Sequence, residues 1–186
     1  MKRPWSGNEI ELDSTGQFIF EFFIKTPSNP SLQFSFFPMS IYAKPGDSIH
    51  LEIDGNGIYR RTKFSGSNAA NNQVLLDFYH NIRGDTIMMV TPDRSIQKKS
   101  QTEYLTEMQR KEIRELRYLT KQKAKVSSNF YSFLDRTIRF SNAKRLWYNA
   151  SYFKRRPNIH LLPSYIAHCQ KSVSYTHLTL PTKRIV

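Results

Sequence analysis

A chain of 186 residues, 39% hydrophobic and 13% aromatic, suffices for one domain or two small units sharing a core, and this composition excludes a disordered polymer. No run of about 18 apolar residues occurs, which excludes a transmembrane helix, and the single cysteine, Cys169, excludes an internal disulfide, a CxxC redox pair and a cysteine zinc site. The net charge of +13 is uneven: residues 1–66 hold seven Lys/Arg and seven Asp/Glu, whereas residues 67–172 hold nineteen and eight.

The basic start Met1-Lys2-Arg3 has no apolar stretch behind it, so no signal peptide is visible. Residues 9–64 read as β structure. Glu9 to Leu12 is short and strand-like, and Asp13-Ser14-Thr15-Gly16 is a turn. Phe18, Phe20, Phe22 and Ile24 then alternate along one face of a predicted strand, a wholly apolar face that requires cover. A loop with Pro27 and Pro30 follows. Strands are predicted over 32–37 and 39–43, divided at Pro38, which has no N–H to give to a central ladder. Lys44-Pro45-Gly46-Asp47 is a tight turn. Ile49, Leu51 and Ile53 point inward from the strand 48–53, Asp54-Gly55-Asn56-Gly57 turns the chain, and 58–64 is the last strand. Several short strands between turn signals predict a small antiparallel β-sandwich.

The pattern changes at Ser65-Gly66-Ser67. Ser67 or Asn68 caps a helix over about 69–80 with a Val74, Leu75, Phe78 and Tyr79 stripe. Ile87-Met88-Met89-Val90 fits buried helix or strand. A long helix is predicted from about Ser100 to Lys125. Tyr104, Leu105, Met108, Ile113, Leu116 and Leu119 lie roughly on its apolar side, and Glu103, Glu107, Lys111 and Glu115 on the other. Ser127 or Ser128 starts a helix reaching Arg155, whose stripe runs from Phe130, Phe133, Leu134 and Ile138 to Trp147 and Ala150, and Pro157 stops it. Ile159 to His168 begins a further helix. The fold class is therefore α+β: a small antiparallel β-sandwich over 1–66 followed by an α-helical region over 67–172.

Residues 173–182, Val-Ser-Tyr-Thr-His-Leu-Thr-Leu-Pro-Thr, reproduce in order one frame of a transposase-type sequencing adapter. We read 173–186 as adapter-derived and not native. The expectation is that the natural reading frame continues beyond Ser172.

Three motifs carry a family resemblance: Leu12-Asp13-Ser14-Thr15-Gly16-Gln17-Phe18, Tyr42-Ala43-Lys44-Pro45-Gly46-Asp47-Ser48-Ile49, and Phe64-Ser65-Gly66-Ser67-Asn68-Ala69-Ala70-Asn71-Asn72. In order and spacing they are similar to the LDxxGxF hairpin, the PGDSI turn and the FSGxGAxxN junction of TlpA-type thiol–disulfide oxidoreductases of Bacteroidetes-like bacteria. The resemblance spans residues 9–80 closely and 81–170 loosely. It implies a β-sandwich, then helices, then a C-terminal thioredoxin domain carrying the CxxC chemistry, which is missing from this chain. It further implies an extracytoplasmic (periplasm or cell envelope) location, and partners that are the thioredoxin domain itself and its protein substrates. No catalytic, cofactor-binding or metal residue is assigned, and no cofactor is expected.

Other chemistry is weaker. His50 points outward from its strand. His160 and His168, eight apart with Cys169 beside them, lack carboxylate partners for a metal, and His80 stands alone. Asp47, Glu52 and Asp54 are turn residues without an EF-hand spacing, and Gly55-Asn56-Gly57 lacks the Lys-Ser/Thr of a phosphate loop. The rival reading is a nucleic-acid-binding protein. It would use Lys121, Lys123, Lys125, Arg136, Arg139, Lys144, Arg145, Lys154, Arg155 and Arg156 with Trp147, Tyr148, Tyr152 and Phe153. Against it stands a plain solvated basic face with its aromatics in the core. Anionic membrane heads would also suit such a surface, and a structural surface domain of an exported protein is a third reading.

Overall fold

The computed structural model describes residues 13–34, 37–53, 62–83, 99–154 and 160–177. The strand predicted over 9–12, the Asp54-Gly55-Asn56-Gly57 turn, most of the predicted strand 58–64, the 87–90 segment and Pro157 lie outside them. Strand β1 (Ser31–Phe34) pairs antiparallel with β2 (Phe37–Ser40), and β3 (Ile49–Glu52) pairs antiparallel with β4 (Lys63–Gly66). Helix α1 (Ala69–Asp77) runs into a π-helical turn, Phe78–Arg83. Then come α2 (Gln101–Gln122), a 3-10 turn over Lys123–Lys125, α3 (Ser128–Lys154) and α4 (Pro163–His177). The chain is α+β. Its described β part consists of two separate two-stranded sheets. Helix α4 continues to His177, into the segment set aside as adapter-derived.

Pro38 lies inside β2, opposite Gln33, and does not divide two strands. A two-stranded sheet has only edges, so a residue without an N–H is tolerated there. Residues 17–24 form no ladder with any described residue. Their alternation survives only as orientation: Phe18, Phe20 and Ile24 are half-buried, whereas Ile19 and Phe23 are 93% and 85% exposed. Phe22, placed on the covered face by its spacing, is itself exposed and stacks on Phe20, ring centroids 5.6 Å apart. A period of two sets where side chains point; covering them takes a second layer.

Two apolar clusters form the core. In the first, Tyr42 from the β part meets Val74, Leu75, Phe78 and Leu119, with Phe130, Leu134 and Ile138 of α3. Tyr42 packs edge-on to Phe130, centroids 5.0 Å apart. In the second, Tyr104, Leu105 and Met108 of α2 pack on Leu146, Ala150 and Phe153 of α3 and on Tyr165 and Cys169 of α4. A polar layer is set where α2 and α3 cross between them. Glu115, fully buried, accepts from Arg83 Nε at 3.2 Å, Arg83 Nη2 at 3.1 Å and Asn142 Nδ2 at 3.1 Å.

This layer corrects the helical faces. Glu115 is at the centre of the packed face of α2, not on its charged side, and Ile113 is 49% exposed. The packed line runs through Gln101, Tyr104, Met108, Glu115 and Leu119, spaced as an α-helix requires, with Ile113 falling beside it. Trp147 of α3 is likewise 47% exposed, while its neighbour Leu146 is buried.

Candidate functional site

The third motif forms the joint of the molecule. At Gly66 (φ +79°) the chain leaves β4, and a Cβ there would stand 2.5 Å from the Ser48 carbonyl oxygen, so only glycine fits. Asn68, also left-handed at φ 57°, donates its amide to Asp47 of the second motif and accepts from Asn71 Nδ2 at 2.7 Å. Asn72, fully buried, binds both backbone groups of Tyr42: its Oδ1 accepts from Tyr42 N–H at 2.7 Å and its Nδ2 donates to Tyr42 C=O at 3.0 Å. Asn71 Oδ1 accepts from Ser127 N–H at 3.0 Å, which ties the start of α3 to the same point. The first motif is a self-contained turn. Asp13 accepts from the Thr15 hydroxyl and from the backbone N–H groups of Thr15 and Gln17, and these bonds hold its carboxyl below the ordinary range.

A second joint seats α4. Gln101, buried at the start of α2, donates to His160 C=O at 2.7 Å and accepts from Leu162 N–H at 2.8 Å. Ser100 and Glu103 close the N-terminus of α2 as a capping box, and the Ser100 groups hold the Glu103 carboxyl down. None of Asn71, Asn72, Gln101, Arg83 or Glu115 stood out in the sequence as a site. Asn71 and Asn72 carried the signal of the third motif and, like Gln101, that of a polar residue beside a helix start, which does not tell a cap from a tether; Arg83 and Glu115 carried none.

The histidines do not converge. His50 is exposed on β3, His80 is in the π turn, and His160 precedes α4 and so shares no helix face with His168. Among the described residues no group of three His, Cys, Asp or Glu is placed to hold a metal ion, and no helix is long and apolar enough to cross a membrane. Asp47 accepts from Lys44 N–H at 2.8 Å, the work of a turn residue. Cys169 is buried, and desolvation pushes its thiol up to about 11, the opposite of an attacking thiolate.

The basic residues divide. Arg139 is engaged by Asp135 and Glu112, and Lys123 stands over the Tyr131 ring at 5.7 Å. Arg136 and Lys144 are exposed on α3 beside Phe140, Trp147 and Tyr148, while Phe153 is in the core. Arg155 and Arg156 lie outside the described residues, as do the side chains of Tyr152 and Lys154. On α2 the structure joins Lys121 to three arginines that the sequence did not single out. Arg110, Arg114, Arg117 and Lys121 line one groove of about 520 Å³, floored by Ile82, Ile113 and Tyr118.

No family model, curated protein or solved structure matches the chain.

Proposed function

We propose that this chain is the non-catalytic accessory module of a TlpA-like thiol–disulfide oxidoreductase, active outside the cytoplasm. It positions a thioredoxin domain encoded beyond Ser172, or that domain's protein substrate. In this reading the two hairpins belong to a small β-sandwich. The observation that most supports the proposal is that Asp47 of the second motif and Asn72 of the third lie at one joint, where Asp47 accepts from Asn68 and Asn72 holds the backbone of Tyr42. The buried, raised thiol of Cys169 agrees with an accessory role, since disulfide exchange needs an accessible thiolate. Sequencing the source gene through the codon for Ser172 tests the proposal. A strand followed by Cys-x-x-Cys supports it, and a stop codon or an unrelated domain overturns it.

The exposed Phe140, Trp147 and Tyr148 beside Arg136 and Lys144 favour a second reading, nucleic-acid binding by α3. Absence of salt-dependent affinity for labelled DNA or RNA eliminates it.

A further inference from the structure

The groove on α2 has a charge order that selects its ligand. Arg110, Arg114, Arg117 and Lys121 recur at four-, three- and four-residue steps, which stacks them in one line about 16 Å long. Among the described residues none of the four has an ion-pair partner. The line continues toward the helix N-terminus with the opposite sign. Glu107 and Glu103 follow at steps of three and four residues and line a second groove that Arg110 shares with the first, where Lys99 pairs with Glu107.

We propose that this face of α2 docks an acidic amphipathic helix of a partner protein. Its carboxylates would meet Arg110 through Lys121, and its apolar side chains would cover Ile82, Ile113 and Tyr118. The repeat of such a helix is the repeat of the cation line, so carboxylates at matching positions pair one to one. Ile113, 49% exposed on an otherwise charged face, supplies an apolar anchor. A nucleic acid fits less well, because its uniform charge would run onto Glu103 and Glu107, and the floor offers a single aromatic ring. That ring is not free to adapt: the Tyr118 hydroxyl donates to Asp77 at 2.5 Å. An anionic bilayer meets the same two carboxylates and is flat where the site is concave. A second copy of this chain, antiparallel across α2, can pair Arg110 with Glu107 and Arg114 with Glu103, but that register sets Arg117 against Ser100 and Lys121 beyond the helix start, leaving both without carboxylates.

This inference stands independently of the thioredoxin reading, because its test uses only the chain in hand. The probe is a fluorescein-labelled alanine-based helix with Glu at matching four- and three-residue steps and Leu beside them, followed by anisotropy with the full 186-residue chain. We expect salt-sensitive binding that weakens at least about tenfold in Arg114→Glu/Arg117→Glu. Lys25→Glu/Lys44→Glu changes net charge equally on exposed residues elsewhere and leaves binding intact. Circular dichroism confirms that both variants are folded. Equal weakening in the two variants overturns the proposal in favour of diffuse charge. So does displacement of the peptide by oligothymidylate or by phosphatidylserine vesicles at lower concentration, or no binding at all.

Discussion

Removing the Glu115 carboxylate should be among the most damaging single changes available to this chain. Arg83 reaches Glu115 from the π turn with a side chain only 6% exposed, and its guanidinium lies 5.0 Å from the Phe78 ring centroid and 5.7 Å from that of Tyr79. Glu115→Ala leaves that cation buried among aromatic rings with Ser141 as its remaining hydrogen-bond partner among the described residues, and it takes the acceptor from Asn142. Breaking a buried pair from one side costs about 3–5 kcal/mol, a large part of the roughly 5–15 kcal/mol that holds an ordinary domain. At about 2–4 °C per kcal/mol for a chain of this size, the melting temperature should fall by about 6–20 °C. Urea titration and thermal melting followed by far-ultraviolet circular dichroism measure both quantities. Arg83→Met/Glu115→Leu should recover most of the loss, because it removes both charges together. Recovery stays incomplete, since the Asn142 amide then lacks its acceptor. A cost below about 1 kcal/mol for Glu115→Ala, or a double variant as unstable as the single one, would refute the reasoning.

Asn72→Ala orphans the buried N–H and C=O of Tyr42 and should cost about 2–6 kcal/mol in urea unfolding, at about 1–3 kcal/mol per orphaned group; a near-neutral result would mean that water replaces the amide. Cys169 should resist a thiol reagent at pH 8 in the native chain and react at once in denaturant, so rapid native labelling would contradict its burial. Burial, reinforced by Glu115 and Asp135, raises the Glu112 carboxyl above its ordinary 4.5, against the opposing pull of His168 and Arg139. The folded state therefore keeps that proton to higher pH than the unfolded chain. The corresponding stability is complete below 4.5 and is lost as pH rises through the raised folded value. Glu112→Gln should flatten this decline in denaturation profiles between pH 4 and pH 7, and an unchanged profile would exclude Glu112 as its source.

Local pattern was enough to locate α2 and α3, whereas α4 begins at Pro163, later than the expected Ile159, and α1 gives way to a π turn after Asp77. The apolar stripe of α2 and the capping serines at 100 and 127 announce their elements, because a helix is built from contacts three and four residues apart. The strand 49–52 was equally legible, its alternating exposure matching its alternating sequence. The face of Glu115 was not legible. A glutamate at four-residue spacing from Glu107 and Lys111 reads as solvated until Arg83, 32 residues away, is brought against it. Phe22 fails for the converse reason, since its apolar character asks for cover that no described neighbour supplies.

The same limit applies to the α2 groove. The spacing of Arg110, Arg114, Arg117 and Lys121 is written in the chain, but Ile82 arrives from the π turn to make a concave site of a charged line. Composition and periodicity by themselves determined an α+β chain with a neutral β half and a strongly basic helical half, because charge and turn chemistry are properties of neighbours in sequence. Only the tertiary structure decided which polar residues are tethers and which cations face solvent, because burial is set by residues tens of positions apart.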